Sequence, residues 1–239
     1  MIALNLPNGG WISMPKIEIN SGFVLSIKRY NDKSFLLDIF SPEHGRYVGL
    51  YRAKNAPQPA TFVQGRWQAR LSEQLGTFYL EPMNAFSAAF LDDKKRLATL
   101  LSACYLIEKT IPERQPYPEL YAALQTFLNT LTQDDFLKQY AFFEMELLTT
   151  LGFGLDLSAC ANDGATQHLL YVSPKSGRAV CQTCGAPYRD KLLPLPAFLH
   201  TPDTSASNTD IYQALKLSGF FLKQHTGIEL PLTREQLMR

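Results

Sequence analysis

Three of the four cysteines lie close together in the C-terminal half of the chain, where they could hold a metal ion. Cys181 and Cys184 form a CxxC motif, whose two thiolates can bind one ion from a single tight turn. A closed structural zinc site needs four ligands, so we expect Cys160 as the third and either Asp163 or His168 as the fourth. The alternative is a segment without zinc, in which the thiols are packed or free.

A second group of residues could bind phosphate. The chain from Gly45 to Ser72 contains five basic residues and no acidic one. The basic residues are Arg46, Arg52, Lys54, Arg66 and Arg70, interspersed with the aromatic residues Tyr47, Tyr51, Phe62 and Trp67. Guanidinium groups beside aromatic rings favour binding of single-stranded nucleic acid, because phosphates pair with the former and unpaired bases stack on the latter. Lys28 and Arg29 extend the set. Alternatively, the basic residues form only a solvated strand face and the rings fill a core.

Residue patterns typical of catalysis are absent from the sequence. It contains no GxxxxGK[ST] phosphate loop, no HExxH and no GxSxG motif, and its four histidines are scattered. Cys104 lies on the apolar face of a predicted helix, which is typical of a core residue. We therefore expect a protein that is not an enzyme. A zinc or thiol enzyme would need an open coordination position, or a depressed thiol pKa at Cys181 and Cys184.

Apolar residues between Ile17 and about Met83 recur mostly at every second position, which predicts five β-strands. The runs are GFVLSIKRY (22–30), SFLLDIFS (34–41), GRYVGLYRA (45–53), TFVQGRWQARL (61–71) and GTFYLEP (76–82). Five short strands without an intervening helix favour a small closed or partly closed antiparallel barrel. We expect an OB fold, and an SH3-like barrel remains open as the alternative.

The period changes to that of helices after Asp92, so we expect an α+β multidomain protein with a C-terminal helical bundle. Helices are predicted within 92–111, 119–131 and 134–151, and another from about Thr209 to Thr226, ending at Gly227. The intervening residues have little apolar periodicity and must lean on their neighbours or be tied by a metal. The predicted division is a disordered leader (1–13), a barrel (14–85), a helical domain (86–152), a cysteine-containing insert (153–196), and a linker with a helix that packs on the helical domain (197–239).

The charge balance excludes a protein that coats nucleic acid or membrane uniformly, because the net charge is only +1. The charge is uneven, however: residues 14–85 carry nine basic and six acidic side chains, whereas 86–150 carry six and nine. The N-terminus lacks a basic stretch, and no run approaches the roughly 18 apolar residues of a membrane span. We therefore expect a cytoplasmic protein, with translation beginning at Met1 or Met14.

A series of short motifs follows along the chain: GFVL (22–25), SFLL (34–37), FSPEHGR (40–46), RWQARL (66–71), LGTF (75–78), LGFGLDL (151–157), YVSPKSGRAV (171–180) and LLPLPAF (192–198). In these motifs and their order, over about residues 17–225, the chain resembles the RecO family of bacterial recombination mediators. The resemblance implies an OB domain, a helical domain and an inserted zinc-finger-like segment. Zinc-bearing relatives have a CxxC at both ends of that segment, whereas this chain has Cys160-Ala-Asn-Asp163 at the first.

The resemblance also implies a function in DNA repair and recombination on the nucleoid. It implies binding of single- and double-stranded DNA, annealing of complementary strands, and loading of RecA with the partner RecR on DNA coated by single-strand-binding protein. The sequence leaves open whether a RecF-like partner is needed. For the phosphate contacts we expect the basic barrel residues, with Lys175 and Arg178 as a second basic spot. A pocket rimmed by Lys94, Lys95 or Arg96 would take the acidic tail of single-strand-binding protein. The alternative function is an adaptor that binds only protein partners.

Overall fold

The computed structural model describes residues 3–5, 11–13, 15–71 and 74–237. It is an α+β structure, as predicted, and its contacts divide it into two compact units, Met1–Tyr121 and Ala122–Arg239. Two short strands, β1 (Ala3–Asn5) and β2 (Trp11–Ser13), pair antiparallel near the N-terminus. The remainder of the predicted leader, like Met14, lies outside the described residues.

Five strands of the first unit form a closed barrel in the order β3-β4-β5-β7-β6. The strands are β3 (Lys16–Asn31), β4 (Ser34–Ser41), β5 (Gly45–Arg52), β6 (Thr61–Gln68) and β7 (Gly76–Ala85). All five predicted strands are present. The first is longer than predicted, because its N-terminal half pairs with β6 and its C-terminal half with β4. Neighbouring strands are antiparallel except β5 and β7, which run parallel.

Alternation along the strands fills the barrel with apolar side chains. The buried core includes Ile19, Val24, Leu37, Ile39, Val63, Trp67 and Phe78. Trp67 is only 2% exposed, and two glycines make room for it. A Cβ atom at Gly76 would lie 2.2 Å from the indole ring, and one at Gly49 would lie 3.0 Å from it. The large ring and the two glycines are therefore one packing unit.

The helix that follows the barrel packs against it. After the single turn α1 (Phe86–Ala89), helix α2 (Lys94–Thr110) begins at Asp93, whose carboxylate accepts from the backbone N–H groups of Lys95 and Arg96. The apolar face of α2 is buried, and Cys104 Sγ lies 3.9 Å from the carbonyl oxygen of Val24 on β3. By its contacts α2 therefore belongs to the barrel unit, which extends to Tyr121, whereas the sequence prediction grouped it with the helical domain.

The second unit is built on long helices. Helix α3 (Pro118–Thr130) contains the division between the units, and α4 (Phe136–Thr150) packs against α6 (Asn208–Thr226). A capping box of Ser207 and Asp210 starts α6, and Gly227 ends it in the left-handed conformation (φ +67°).

The sequence missed the short helix α7 (Leu232–Gln236). No helix within the described ranges is long and apolar enough to cross a membrane.

The insert has a small sheet of its own and leans on α6. Strands β8 (Leu169–Val172), β9 (Ala179–Cys181) and β10 (Leu193–Pro194) form an antiparallel sheet in the order β10-β8-β9. A single helical turn, α5 (Gln182–Gly185), follows β9, and 3₁₀ turns cover Ala186–Lys191 and Ala197–Leu199. Strand β10 and the last 3₁₀ turn contact α6. The insert is thus supported by its neighbours as well as by its own sheet.

A buried ion pair joins α7 to the other helices of this unit. Glu144 on α4 is 0% exposed and Arg234 on α7 is 1% exposed. Arg234 donates from Nε to Glu144 Oε1 (2.7 Å) and from Nη2 to Oε2 (2.8 Å). Ser218 on α6 donates its hydroxyl to the same carboxylate, and Arg234 also donates to the Leu215 carbonyl. Gly219 makes room for the Arg234 guanidinium, because a Cβ atom at position 219 would lie 2.8 Å from Arg234 Nη1.

Replacing Arg234 by Ala would leave the buried Glu144 carboxylate without its partner. We expect the free energy of unfolding to fall by about 3–5 kcal/mol in a urea titration. Arg189→Ala, which removes an exposed arginine of the same unit, is the control and should change it by less than about 0.5 kcal/mol. A similarly small loss for R234A would contradict this account of the ion pair.

Candidate nucleic-acid interface and metal centre

The three clustered cysteines and Asp163 meet in the insert. The ligating atoms of Cys160, Asp163, Cys181 and Cys184 all lie within 4.8 Å of one another. Cys181 ends β9 and Cys184 lies one turn further on in α5, where its backbone N–H is 3.5 Å from Cys181 Sγ. On the other side a tight turn, with Gly164 N–H donating to the Cys160 carbonyl (3.0 Å), places Asp163 toward the thiols.

The geometry selects Asp163 over His168 as the fourth member of the cluster. Asp163 Oδ2 lies 3.5 Å from Cys181 Sγ and 3.3 Å from Cys184 Sγ, whereas the exposed His168 is not part of the cluster. Hydrogen bonds from the Cys160 thiol, the Ala165 backbone N–H and the Cys184 thiol hold the pKa of the Asp163 carboxyl far below its usual range. An ionised oxygen therefore faces three sulfur atoms.

Three sulfur donors and one carboxylate oxygen fit a tetrahedral metal ion such as Zn²⁺. Asn162 supports the arrangement from outside, because its Nδ2 donates to Cys184 Sγ (3.2 Å). The cluster as a whole could bind a metal in the position where the sequence predicted one.

Arg46 is buried in an ion pair, whereas the sequence analysis expected it to contact phosphate. Its side chain is 10% exposed and its Nε lies 3.3 and 3.2 Å from the two carboxylate oxygens of Asp38 on β4. Its Nη2 also donates to Asp38, and its Nη1 donates to the carbonyl of Ile111 after α2. Burial raises the pKa of the Asp38 carboxyl to about 6, although the hydrogen bond and charge of Arg46 oppose this. Arg46 is thus a structural residue.

The other predicted phosphate contacts lie at the surface. Exposed positions are Lys28, Arg29, Arg52, Lys54, Arg70, Lys175 and Arg178, and Arg66 is half-buried. Arg29 is 3.5 Å from Asp32 and Arg178 is 3.2 Å from Asp156, but such exposed pairs contribute little and can exchange for phosphate. Lys175 and Arg178 belong to the second unit. Among the barrel residues, Arg52 lines two surface grooves, one of them shared with Lys33.

Most of the aromatic residues expected to stack on bases are part of the core. Trp67 donates from Nε1 to the Val48 carbonyl (3.1 Å) and packs edge-on against Tyr47, with ring centroids 5.1 Å apart. Phe62 packs against Phe23 in the same way. Tyr51, which is half-buried, lines a surface groove.

Tyr79 is an exposed aromatic residue beside Arg66 that the sequence reasoning missed. Its side chain lies directly across from Arg66 in the β6–β7 ladder and is 50% exposed. The Arg66 guanidinium carbon is 4.6 Å from the centre of the Tyr79 ring, which is a cation–π contact. The sequence signal for Tyr79 is the alternation of side chains along a strand. In the run Gly76-Thr77-Phe78-Tyr79 the side chain of Phe78 points into the core, so the side chain of Tyr79 must point outward.

Comparison with known proteins identifies the family. Residues 91–234 match the family model described as "Recombination protein O C terminal". The chain is 38% identical over 234 residues to the DNA repair protein RecO of Bartonella quintana (strain Toulouse), with 90% of this chain and 93% of the relative covered. It is 40% identical over 232 residues to the DNA repair protein RecO of Methylobacterium nodulans (strain LMG 21967 / CNCM I-2342 / ORS 2060), with 90% and 94% covered.

The chain belongs to the RecO family. This confirms the resemblance found in the sequence and supports a role in DNA repair and recombination. The matched region includes helices α2 to α6 and the whole metal cluster. The cluster is therefore within the part of the chain that matches the RecO family model.

In this RecO-family protein, Arg46→Met should destabilise the barrel unit, because Asp38 is left buried and unpaired. We expect a loss of about 3–5 kcal/mol in the free energy of unfolding at pH 7, measured by urea titration. Without Arg46 the pKa of Asp38 rises further above its unfolded value, so the deficit relative to wild type grows as the pH rises from 4 to 8. Arg52→Met is the exposed control. If R46M instead has normal stability but no longer binds DNA, Arg46 is a DNA-binding residue.

Proposed function

We propose that this RecO-family protein is a DNA repair and recombination mediator that binds single- and double-stranded DNA and anneals complementary strands. The observation that carries the proposal is the set of exposed basic residues on the outside of the barrel, in a chain of near-zero net charge. A local patch holds DNA without coating it. Annealing forms only base pairs, so the protein acts without bond chemistry and is not an enzyme.

The barrel is proposed to be an OB fold. Its strand order β3-β4-β5-β7-β6, with parallel pairing of the third strand to the fifth, supports this assignment over an SH3-like barrel. OB barrels bind oligonucleotides on their outer surface. The exposed basic residues lie on strands and loops of this barrel, which is consistent with such use.

The mechanism follows from contacts to phosphate. The barrel residues proposed to make them are Lys28, Arg29, Arg52, Lys54, Arg66 and Arg70, with Lys175 and Arg178 as a second basic spot in the other unit. Neutralising the backbones lets two strands approach, and contacts to phosphate leave the base edges free to pair. Binding of this kind has no sequence preference and depends steeply on salt.

The proposed partners follow from the family. We infer that the protein acts with RecR, and with RecF where it is needed, to load RecA on DNA coated by single-strand-binding protein, and that it does so on the nucleoid in the cytoplasm. The acidic tail of single-strand-binding protein is proposed to dock near the start of α2. Lys94 and Lys95 are exposed there, whereas Arg96 is held by Asp93 at 2.6 Å. Lys94 and Lys95 are therefore the better candidates for that contact.

One structural Zn²⁺ is proposed at the cluster of Cys160, Asp163, Cys181 and Cys184. Bound there, it would tie the loop before β8 to the turn after β9 and stiffen the insert. All four positions would be filled by protein, so the ion has no open position for catalysis.

Reversing two barrel charges, with Arg66→Glu and Arg70→Glu together, should weaken single-strand binding and flatten its salt dependence. Each lost phosphate contact lowers the slope of log affinity against log salt by about 0.7. The measurement is a fluorescence titration with a labelled oligonucleotide at several salt concentrations. Lys216→Glu with Lys223→Glu on α6 is the matched double control. An unchanged slope in the barrel variant would favour the adaptor that binds only proteins.

The annealing assay tests the function itself. The wild-type protein should accelerate pairing of complementary strands that are already coated with single-strand-binding protein, and the barrel double variant should not. No acceleration by the wild type would contradict the proposed function.

Metal analysis tests the zinc site. The purified protein should carry one zinc per chain, and Asp163→Ala and Cys181→Ser should each reduce that content, while His168→Ala retains it. Asp163→Cys should hold the ion against chelator at least as well as the wild type, because thiolate is the softer ligand. Zinc is counted by its release to a colorimetric chelator. If D163A retains its zinc and H168A loses it, the fourth ligand is His168 and not Asp163.

A further inference from the structure

The outer surface of the barrel carries a groove beside Tyr79, which we call the barrel groove. Its lining includes Tyr51 and Arg52 from the end of β5, Gln64 and Gly65 from β6, and Tyr79 and Glu81 from β7. The groove is open to solvent on one side and has a volume of about 460 Å³. All of its residues belong to the barrel unit.

The groove forms where two strands separate. The parallel ladder between β5 and β7 ends at the pair Tyr51–Phe78, whereas β7 continues beside β6 as far as Ala85. From Tyr79 onward β7 therefore has no ladder to β5. Gly65 adds only backbone to the lining, because its φ is +146° and a Cβ atom would lie 2.1 Å from the Tyr79 carbonyl oxygen. A side chain at position 65 would not fit against β7.

Tyr79, one of the residues that line this groove, has a partly exposed aromatic ring. Tyr79 is 50% exposed, although Arg66 covers part of the ring from a distance of 4.6 Å. The guanidinium contact orients the ring while the remaining surface stays open, and Tyr51 provides a second ring in the same groove. Holding the ring in place before a ligand arrives reduces the entropy that binding would cost.

The polar groups of the groove suit a nucleobase better than a phosphate. Glu81 and Arg52 place both signs of charge in it, and the carboxylate repels a phosphate while accepting from the amino groups of bases. Gln64 is fixed by donating from Nε2 to the carbonyl of Asn20 (2.8 Å), and an ordered amide can meet a base edge. The phosphates of a strand can reach Arg66 and Arg70 outside the groove.

We propose that the barrel groove binds one unpaired nucleobase of a single strand, stacked on Tyr79. The inference rests on the proposed DNA-binding function and adds to it a reason why single strands are bound differently from duplex. A paired base is stacked on both faces within the helix and cannot enter, so duplex is held by phosphate contacts alone. Stacking tolerates any base, since every base has a flat π-face.

The principal test compares Tyr79→Ala with Tyr79→Phe in the full chain. Y79A should weaken binding of a labelled single-stranded oligonucleotide about tenfold, because stacking on an aromatic side chain is lost. Its binding of duplex, and the salt slope of its single-strand binding, should stay at wild-type values because the phosphate contacts remain. Y79F keeps the ring and should bind like the wild type. Tyr30→Ala removes a 61% exposed tyrosine outside the groove and is the matched control.

A second test removes the base from the oligonucleotide instead of the ring from the protein. Wild-type protein should bind an abasic oligonucleotide of equal length about tenfold more weakly than the normal strand, and Y79A should bind the two equally. An unpaired 2-aminopurine in the strand should change its fluorescence on binding to wild type and Y79F but not to Y79A. If the wild type binds abasic and normal strands equally, or if Y79A matches Y30A, the groove is not a base site.

The two levels of the proposal fail in different ways. A wild-type protein that binds neither single strand nor duplex contradicts the proposed function. If the wild-type protein binds both, and binding depends neither on Tyr79 nor on the bases, the proposed function is unaffected and only the proposed base site in the barrel groove is wrong.

Discussion

Closure of the five-stranded barrel is the constraint on which the functional surface depends. Once β5 pairs with β7 and β6 with β3, each strand side chain must point either into the core or away from it. The interior accommodates the indole of Trp67 only because Gly49 and Gly76 have no side chains. Filling the interior in this way places Arg66 and Tyr79 together on the outside. The candidate nucleic-acid surface is thus a consequence of how the core is packed.

Two buried arginines perform similar structural tasks in the two units. Arg46 joins β4 of the barrel to the chain after α2, and Arg234 joins α7 to α4 and α6. Each is paired with one carboxylate and also donates to a backbone carbonyl, which satisfies groups that burial would otherwise leave unpaired. The planar guanidinium suits this use because it donates in several directions at once. Neither arginine is available for phosphate, although both are basic residues by sequence.

The insert combines a weak apolar core with a polar cluster. Leu169, Val172 and Leu195 are buried, but the sheet has only three short strands. Small modules of this kind need further support. Contact with α6 supplies part of it, and three thiols with one carboxylate around a common point provide a place for a metal to supply more. The carboxylate in place of a fourth cysteine leaves the geometry of the cluster compatible with a tetrahedral ion.

The sequence by itself determined the barrel strands, the long helices and the family. Period-two runs located all five barrel strands, period-3.6 runs located α2, α3, α4 and α6, and CxxC located half of the metal cluster, because these patterns are local properties of the chain. Tertiary structure alone decided which charged side chains are buried in ion pairs. Arg46 and Arg66 look alike in sequence, and only the partner across the fold, Asp38 for one and Tyr79 for the other, separates them. The same holds for Glu144, whose partner Arg234 lies 90 residues further along the chain. Burial and pairing depend on contacts between distant residues, which local periodicity does not contain.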